Sequence, residues 1–422
     1  MTLKNGKLKL SRKTPSPSAN TNNPFDSGKL YNSFASNFKV GYEDLTNVSN
    51  FASDYYSSAI PIFFDPKFSA MDSGTRIAMI ENGIQNEDPE ILTFVGIADL
   101  IQGPKKMPSG ITYLQKAADL GYNPAKTVLA NFYLATKSEY RDKNKGINLL
   151  RQASDNGDAV AQCALAGYHL TGMFGLPVDS QKAISYFSLA ADNGYPLART
   201  YLGILYINKE YGVQDREKGL EYLNISIAEN DPIALCYLGK VFLVDKEILD
   251  IEKGLSYLSK SADLGNAKAQ LTLADIYRVG EFVPRDYGKA IELYSEAAKQ
   301  GHARAYYMLG QLYEFGKGTT RNPIKAFDFY RLSAEKGYDD GMRCVGIGYL
   351  LGQGVGLDIE KGREIITKLA SRGHSESIFT LSQMYEHGYG VPFNVGKAKK
   401  LMRQALELGS ENALYYRKAN RP

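Results

Sequence analysis

The sequence is poor in the residues from which many catalytic and metal centres are built. It has four histidines and three cysteines among 422 residues. Cys163, Cys236 and Cys344 lie far apart, without the Cys-x-x-Cys spacing typical of a zinc site. No phosphate-binding loop, nucleophile elbow or His-Glu-x-x-His motif occurs. We therefore expect no cofactor, no metal and no enzymatic activity, and the scattered cysteines favour a reducing, cytoplasmic setting.

Long apolar runs are also missing. No stretch approaches the roughly 18 apolar residues that span a bilayer, and the N-terminus has no apolar run of the kind found in secretory signals. The chain ends Asn420-Arg421-Pro422, without a C-terminal cysteine for prenylation. We therefore expect no direct membrane anchor.

An excess of one charge is confined to the N-terminus. Residues 1–40 hold seven basic residues and one acidic residue, which gives +6, whereas the remainder holds 43 basic and 45 acidic residues, which gives −2. A nearly neutral body is a poor match for a phosphate backbone, so nucleic acid is not an expected partner. Residues 1–70 are rich in Ser, Asn and Pro, a composition that predicts a disordered tail.

The tail contains short motifs with alternative interpretations. Thr14 and Ser16 each precede a proline beside basic residues, so both are predicted phosphorylation sites. Asn23-Pro24-Phe25 resembles the peptide bound by endocytic EH domains, and the alternative interpretation is a solvated linker, since tripeptides of this kind arise often by chance. The N-terminal segment is basic and begins without acidic residues, as mitochondrial presequences do, so a mitochondrial location is the minority alternative to a cytoplasmic one. The small number of arginines and two closely spaced prolines argue against a presequence.

The dominant feature of the sequence is an internal period of 35 to 37 residues. Its marker is a glycine that suits the left-handed end of a helix, with Asn230 in one copy and Glu87 in an early, degenerate one. The glycines of this series are Gly121, Gly157, Gly194, Gly265, Gly301, Gly337, Gly373 and Gly409.

Each unit of the period predicts two packed helices. In each of nine units, a small residue lies nine positions after the marker that precedes the unit, as at Gly310, and Gly or Ala lies eleven positions before the marker that ends it, as at Ala326. Small residues at these places let two helix backbones approach closely. An Asp or Asn also stands three residues before a lysine in each of eight units, and this repetition predicts helix N-caps and not catalytic acids. The cap positions are Asp142, Asp179, Asp215, Asp250, Asp286, Asn322, Asp358 and Asn394.

Helix pairs that each contact their neighbours build a solenoid. The predicted fold is therefore all-α, a right-handed α-solenoid of about nine two-helix repeats with a disordered N-terminal tail. The predicted divisions are a tail at 1–70, an N-terminal capping helix at 71–86, the repeats at 87–409 and a C-terminal capping helix at 410–422.

The repeat resembles a known motif. The copy at 301–337 contains Leu309-Gly310, the turn Gly316-Lys317-Gly318 and Lys325-Ala326. This pattern is similar to the Sel-like repeat, a relative of the tetratricopeptide repeat. The resemblance implies a non-enzymatic adaptor or scaffold that binds protein partners on a solenoid surface.

A narrower resemblance links two segments to fungal activators of chitin synthase. The segments are TGMFGLPVD at 171–179 and GTTRNPIKAFDFYRLSAEKGYDDGM at 318–342. This resemblance implies a regulator of chitin synthase or of cell-wall and septum synthesis in a fungus. It further implies a membrane-bound synthase or a signalling protein as partner, with recruitment to the cell periphery or division site.

Variable positions of the first helices are where side chains that contact a partner are expected. Tyr and Arg are enriched at the energetic centres of interfaces. We therefore predict partner contacts at Arg199, Arg278, Tyr306, Tyr307 and Arg343. RNA binding by pentatricopeptide-type helical pairs, in an organelle, remains the alternative function, because it competes on the period alone.

Overall fold

The computed structural model describes residues 2–4, 7–9, 71–135, 139–208 and 215–419. The described helical residues divide into two compact units, 71–237 and 238–419, with the division inside one helix. Of the twenty described α-helices, eighteen have 13 residues, as a period near 36 with short connections requires. The all-α fold predicted from the period is confirmed.

The first unit contains nine helices and the start of a tenth. A short 3₁₀ turn, Met173–Gly175, follows the sixth. The helices are α1 (Ser73–Gln85), α2 (Pro89–Ile101), α3 (Met107–Asp119), α4 (Asn123–Ala135), α5 (Lys143–Asp155), α6 (Ala159–Thr171), α7 (Ser180–Asp192), α8 (Pro196–Ile207), α9 (Arg216–Ala228) and α10 (Pro232–Val244).

The second unit continues the same alternation of first and second helices. Even-numbered helices are the first helices of a repeat and odd-numbered ones the second. The helices are α11 (Ile251–Asp263), α12 (Ala267–Val279), α13 (Tyr287–Lys299), α14 (Ala303–Phe315), α15 (Pro323–Glu335), α16 (Asp339–Leu351), α17 (Ile359–Ser371), α18 (Ser375–His387), α19 (Val395–Glu407) and α20 (Glu411–Ala419).

The predicted caps begin the second helices. In all eight units the Asp or Asn side chain accepts a hydrogen bond from the backbone N–H of the lysine three residues later, at 2.8 to 3.1 Å. Each such bond satisfies a first-turn amide that has no partner inside the helix. The interpretation of these acids as structural caps is confirmed.

The predicted marker residues end the second helices. All eight glycines of the series have φ between 78° and 88°. Asn230 and Glu87, which replace glycine in two units, have φ of 60° and 58°. Both therefore adopt the left-handed conformation that the period assigned to them, although this conformation is unfavourable for a side chain such as Glu.

The core lies between paired helices, where small residues allow close contact. A Cβ on Gly96 would lie 3.0 Å from the carbonyl oxygen of Gly110, and one on Gly203 would lie 2.9 Å from that of Gly219. Seven residues before eight of the ten markers, a large side chain is buried in this seam. These side chains are Leu114, Leu150, Phe187, Leu223, Leu258, Tyr294, Tyr330 and Ile366.

The first residues of the chain differ from the predicted disordered tail. Thr2–Lys4 and Lys7–Lys9 form an antiparallel pair within the segment predicted to be a disordered tail. They are separated by Asn5-Gly6, a strong sequence signal for a hairpin turn that the prediction overlooked.

Residues 10–70, with Thr14, Ser16 and the Asn23-Pro24-Phe25 motif, lie outside the described residues, so those predictions stand untested. Helices α1 and α20 lie in the ranges predicted for capping helices, and their capping role stays a prediction.

Candidate partner-binding face

In the second unit, one set of polar and aromatic side chains recurs on successive first helices. The set follows helical spacing, for example Arg304, Tyr307 and Glu314 on α14. We call this set the first-helix face. It consists of Asp275, Arg278, Arg304, Tyr307, Glu314, Asp340, Arg343, Cys344, Glu376 and Glu386.

Carboxylates of this face connect three of the first helices, α12, α16 and α18, to the next repeat. Arg304 Nη2 lies 2.7 Å from Asp275 Oδ2, and His374 Nε2 lies 3.7 Å from Asp340 Oδ1. Ser410 Oγ donates to Glu376 Oε1 at 3.0 Å. Side chains held by such contacts lose less rotamer freedom when a partner binds, so the face is preorganised.

Two buried tyrosines supply polar groups beneath the face. Tyr294 and Tyr330 occupy the core position at which other repeats place Leu, Phe, Ile or Met. The Tyr294 hydroxyl donates to Asp275 Oδ1 at 2.5 Å, and the Tyr330 hydroxyl donates to Glu314 Oε2 at 2.7 Å. Burial raises the pKa of both tyrosines, and the neighbouring carboxylates raise each further, so both hydroxyls remain protonated donors.

Asp275 is the electrostatic centre of the face. Burial alone would raise the pKa of Asp275, but Arg304, Arg278 and the Tyr294 hydroxyl outweigh burial and lower it. Burial would likewise lower the pKa of Arg278 and Arg304, but Tyr294 and Asp275 raise both. The carboxylate is therefore ionised and held between two guanidinium groups.

A cleft of about 250 Å³ opens beside the Tyr330 and Glu314 pair, between α14, α15 and α16. Its walls are mainly apolar, and Phe315 at its margin is 38% exposed. The lining residues are Glu314, Phe315, Arg321, Pro323, Ala326, Phe327, Tyr330, Cys344, Ile347, Gly348 and Gln353. An apolar cavity with a few polar groups is typical of a site that anchors a side chain.

The structure brings together three of the five predicted partner-contact residues. Arg278 donates from Nε to the Tyr294 hydroxyl at 3.1 Å. The Tyr307 ring lies 5.8 Å from the Tyr330 ring, and Arg343 is buried with Nε 3.4 Å from Asp340 Oδ1. Whether any of the three touches a partner stays a prediction.

The other two predicted residues lie elsewhere. Tyr306 packs on Phe329 of α15, with 6.4 Å between ring centroids. Arg199 belongs to the first unit, where its Nη2 lies 2.6 Å from Glu229 Oε2. The structure therefore does not place them on the first-helix face.

Sequence reasoning missed Asp275, Tyr294, Arg304, Glu314 and Tyr330. A signal for them was present, because a tyrosine at a position otherwise filled by Leu, Phe, Ile or Met requires a buried partner for its hydroxyl. The carboxylates that accept these hydrogen bonds belong to the preceding first helix, 16 or 19 residues earlier in the chain.

Within the described ranges, no group of three or more His, Cys, Asp or Glu side chains is arranged to hold a metal ion. No described helix combines the length and the apolar character needed to cross a membrane.

The sequence profile of the Sel1 repeat matches nine segments, which together exceed half of the chain. The segments are 101–122, 129–158, 159–195, 196–231, 232–266, 267–302, 303–338, 344–374 and 375–410. The chain belongs to the Sel1 repeat family. The resemblance found from the period and its motifs is thus confirmed.

Individual Sel1 relatives match parts of the chain. The Sel1-repeat-containing protein YjcO of Escherichia coli K12 is 30% identical over 130 residues, which are 29% of this chain and 56% of YjcO. The chitin synthase regulator SKT5 of Saccharomyces cerevisiae is 27% identical over 179 residues, which are 40% of this chain and 26% of SKT5. The chain thus spans about half of YjcO and less of SKT5.

A solved Sel1 repeat structure, from Oxalobacter formigenes, is 27% identical with a TM-score of 0.46. The similarity covers 77% of this chain and 93% of that one.

Proposed function

We propose that this Sel1 repeat protein is a non-enzymatic adaptor that binds a protein segment along the first-helix face. The observation that carries the proposal is the cleft beside Tyr330 and Glu314, which offers apolar walls next to an ionised, preorganised surface. Interfaces draw most of their binding energy from a few anchors that fill such clefts.

The expected partner segment has one apolar side chain flanked by polar groups. A volume of about 250 Å³ accommodates a single large side chain and not a folded element. The face offers both signs of charge, Arg278 and Arg304 beside Asp275 and Glu314, so the segment is expected to carry both signs.

The more specific proposal is regulation of chitin synthase or of wall and septum synthesis in a fungus. The similarity to the yeast regulator SKT5 supports it, together with the segments 171–179 and 318–342. The partner would then be a membrane-bound synthase or a signalling protein, which recruits the cytoplasmic adaptor to the cell periphery or division site.

The test is affinity capture from the native cell with full-length wild-type protein, a Phe315→Asp variant and a Leu264→Asp control. Both substitutions place a carboxylate at a partly exposed apolar position, 38% and 48% exposed. Phe315 lines the cleft, whereas Leu264 follows α11 and does not. We expect the Phe315→Asp variant to lose a reproducible partner by about tenfold, while the control retains it.

Equal capture by both variants would reject the cleft as the anchor. Absence of any protein partner would reject the adaptor itself, and RNA that copurifies and is released by modest salt would instead support the RNA-binding alternative. A chitin synthase among the captured proteins is the result required by the more specific proposal.

A further inference from the structure

The Gly-x-Gly turns stack the loops of successive repeats on one another. Gly318, Gly354 and Gly390 have φ of 69°, 74° and 67°. A Cβ on these glycines would collide with Tyr287, Pro323 and Ile359 respectively, each the first residue of the preceding second helix. The loops therefore form a continuous edge, and we call residues 281–289, 317–325, 353–361 and 389–397 the loop edge.

Four equivalent residues project from this edge, one from each loop. Arg285, Arg321, Leu357 and Phe393 precede the N-caps at intervals of 36 residues, and all are exposed. Each lies beside the left-handed glycine that ends its first helix, as Phe393 lies beside Gly388. Arg285 and Arg321 each donate from Nε to a carbonyl oxygen at the end of that helix, at 3.1 and 3.0 Å.

The loop edge carries a net positive charge, which comes from segment 317–325 with its three basic and no acidic residues, because the other three segments together are neutral. The four segments contain seven basic and four acidic residues, a net +3, although residues 41–422 as a whole carry −2. Lysines are held here by tyrosines of the first helices, since the Nζ atoms of Lys325, Lys361 and Lys397 donate to tyrosine hydroxyls at 2.8, 2.8 and 2.6 Å. Lys289 Nζ lies 5.0 Å from the centroid of the Tyr277 ring.

Large apolar side chains stand among these charges. Ile324, Leu357 and Phe393 are 66%, 62% and 68% exposed. They project from three successive repeats as separate side chains. The exposed neighbours are basic at Ile324 (Lys325), polar at Phe393 (Asn394) and acidic at Leu357 (Asp358 and Glu360). Protein partners bury contiguous patches, whereas a lipid headgroup region accepts separate apolar side chains between cationic groups.

We propose that the loop edge docks on an anionic lipid surface. Leu357 and Phe393 enter the headgroup region, while Arg285, Arg321 and Lys317 contact lipid phosphates or carboxylates. The contact is peripheral and reversible. Arg321, Pro323 and Gln353 of the loop edge also line the cleft. Vesicle binding is measured without a protein partner, so the two proposals are tested separately.

The test is cosedimentation of the purified full-length protein with vesicles. One set contains phosphatidylcholine alone, and the other contains about 30% phosphatidylserine. We expect binding to the anionic set that weakens at about 0.5 M salt. Substitution of Leu357→Ser with Phe393→Ser, or of Arg285→Gln with Arg321→Gln, should lower the partition coefficient about tenfold.

The matched control is Leu264→Ser with Leu408→Ser. These residues are 48% and 50% exposed and follow second helices, outside the loop edge. The control should bind as wild type does, and circular dichroism checks that each variant is folded. Failure of wild-type protein to bind anionic vesicles would overturn the proposal. Equal binding by wild-type and loop-edge variants would overturn it too.

Discussion

At the scale of single residues, the second unit has two buried tyrosines at a core position that is apolar in the other repeats. Tyr294 and Tyr330 lie where the other repeats place Leu, Phe, Ile or Met, and their hydroxyls meet Asp275 and Glu314. Buried ionic groups are weak evidence for stability, because desolvation offsets much of their attraction. Their effect is to fix the positions of Arg278 and Arg304 on the first-helix face.

Removal of the Tyr294 hydroxyl tests this network. We expect Tyr294→Phe to lower the free energy of unfolding by about 1 to 2 kcal/mol, because Asp275 loses a donor in a buried site. Urea denaturation measures the change. In the Asp275→Asn background the same substitution should cost less, and equal costs in both backgrounds would show that the two groups are not coupled.

His302 predicts a pH dependence. Burial, together with the positive charges of Arg304, Lys268 and Lys240, lowers the pKa of His302 to about 4. The unfolded chain therefore takes up this proton near pH 6.5, before the folded protein does, so stability is lost as pH falls from 6.5 towards 4. Wild-type protein should lose at most roughly 3 kcal/mol more over this interval than His302→Gln. Parallel pH profiles would contradict this assignment.

At the scale of helices and turns, local signals predicted most of the structure. The Asp and Asn caps, the marker glycines and even Glu87 and Asn230 were predictable, because each depends on backbone chemistry within a few residues. The hydrogen bonds from Lys325 and Lys361 to tyrosine hydroxyls were not, because they join side chains 12 residues apart whose rotamers the period does not specify.

The stacking of the loops predicts that a side chain at one of the stacked glycines destabilises the protein. Gly354→Ala would place a Cβ against the Pro323 carbonyl at a φ of 74°, so we expect a loss of about 2 to 4 kcal/mol in unfolding free energy. Gly356→Ala, two residues later, is the matched control, because no atom lies within 4 Å of its added Cβ. Thermal and urea unfolding of both variants provide the comparison, and similar losses would argue against the stacked loops.

At the scale of the molecule, the period determined the fold class, because every unit repeats the same pairing and capping chemistry. The period could not identify the binding face. What the repeats share builds the scaffold, whereas Asp275, Arg304 and the cleft at Tyr330 depend on residues in which single repeats differ. Arg199 and Tyr306 are not members of the first-helix face, and partner contact at either residue stays a prediction.

Hydrogen exchange of the full-length protein, alone and with its captured partner, tests the central claim most directly. The account predicts slower exchange on binding in peptides from Ala303–Phe315 and Asp339–Leu351, the first helices that border the cleft. Protection confined to second helices, or unchanged exchange in both of these segments, would contradict it.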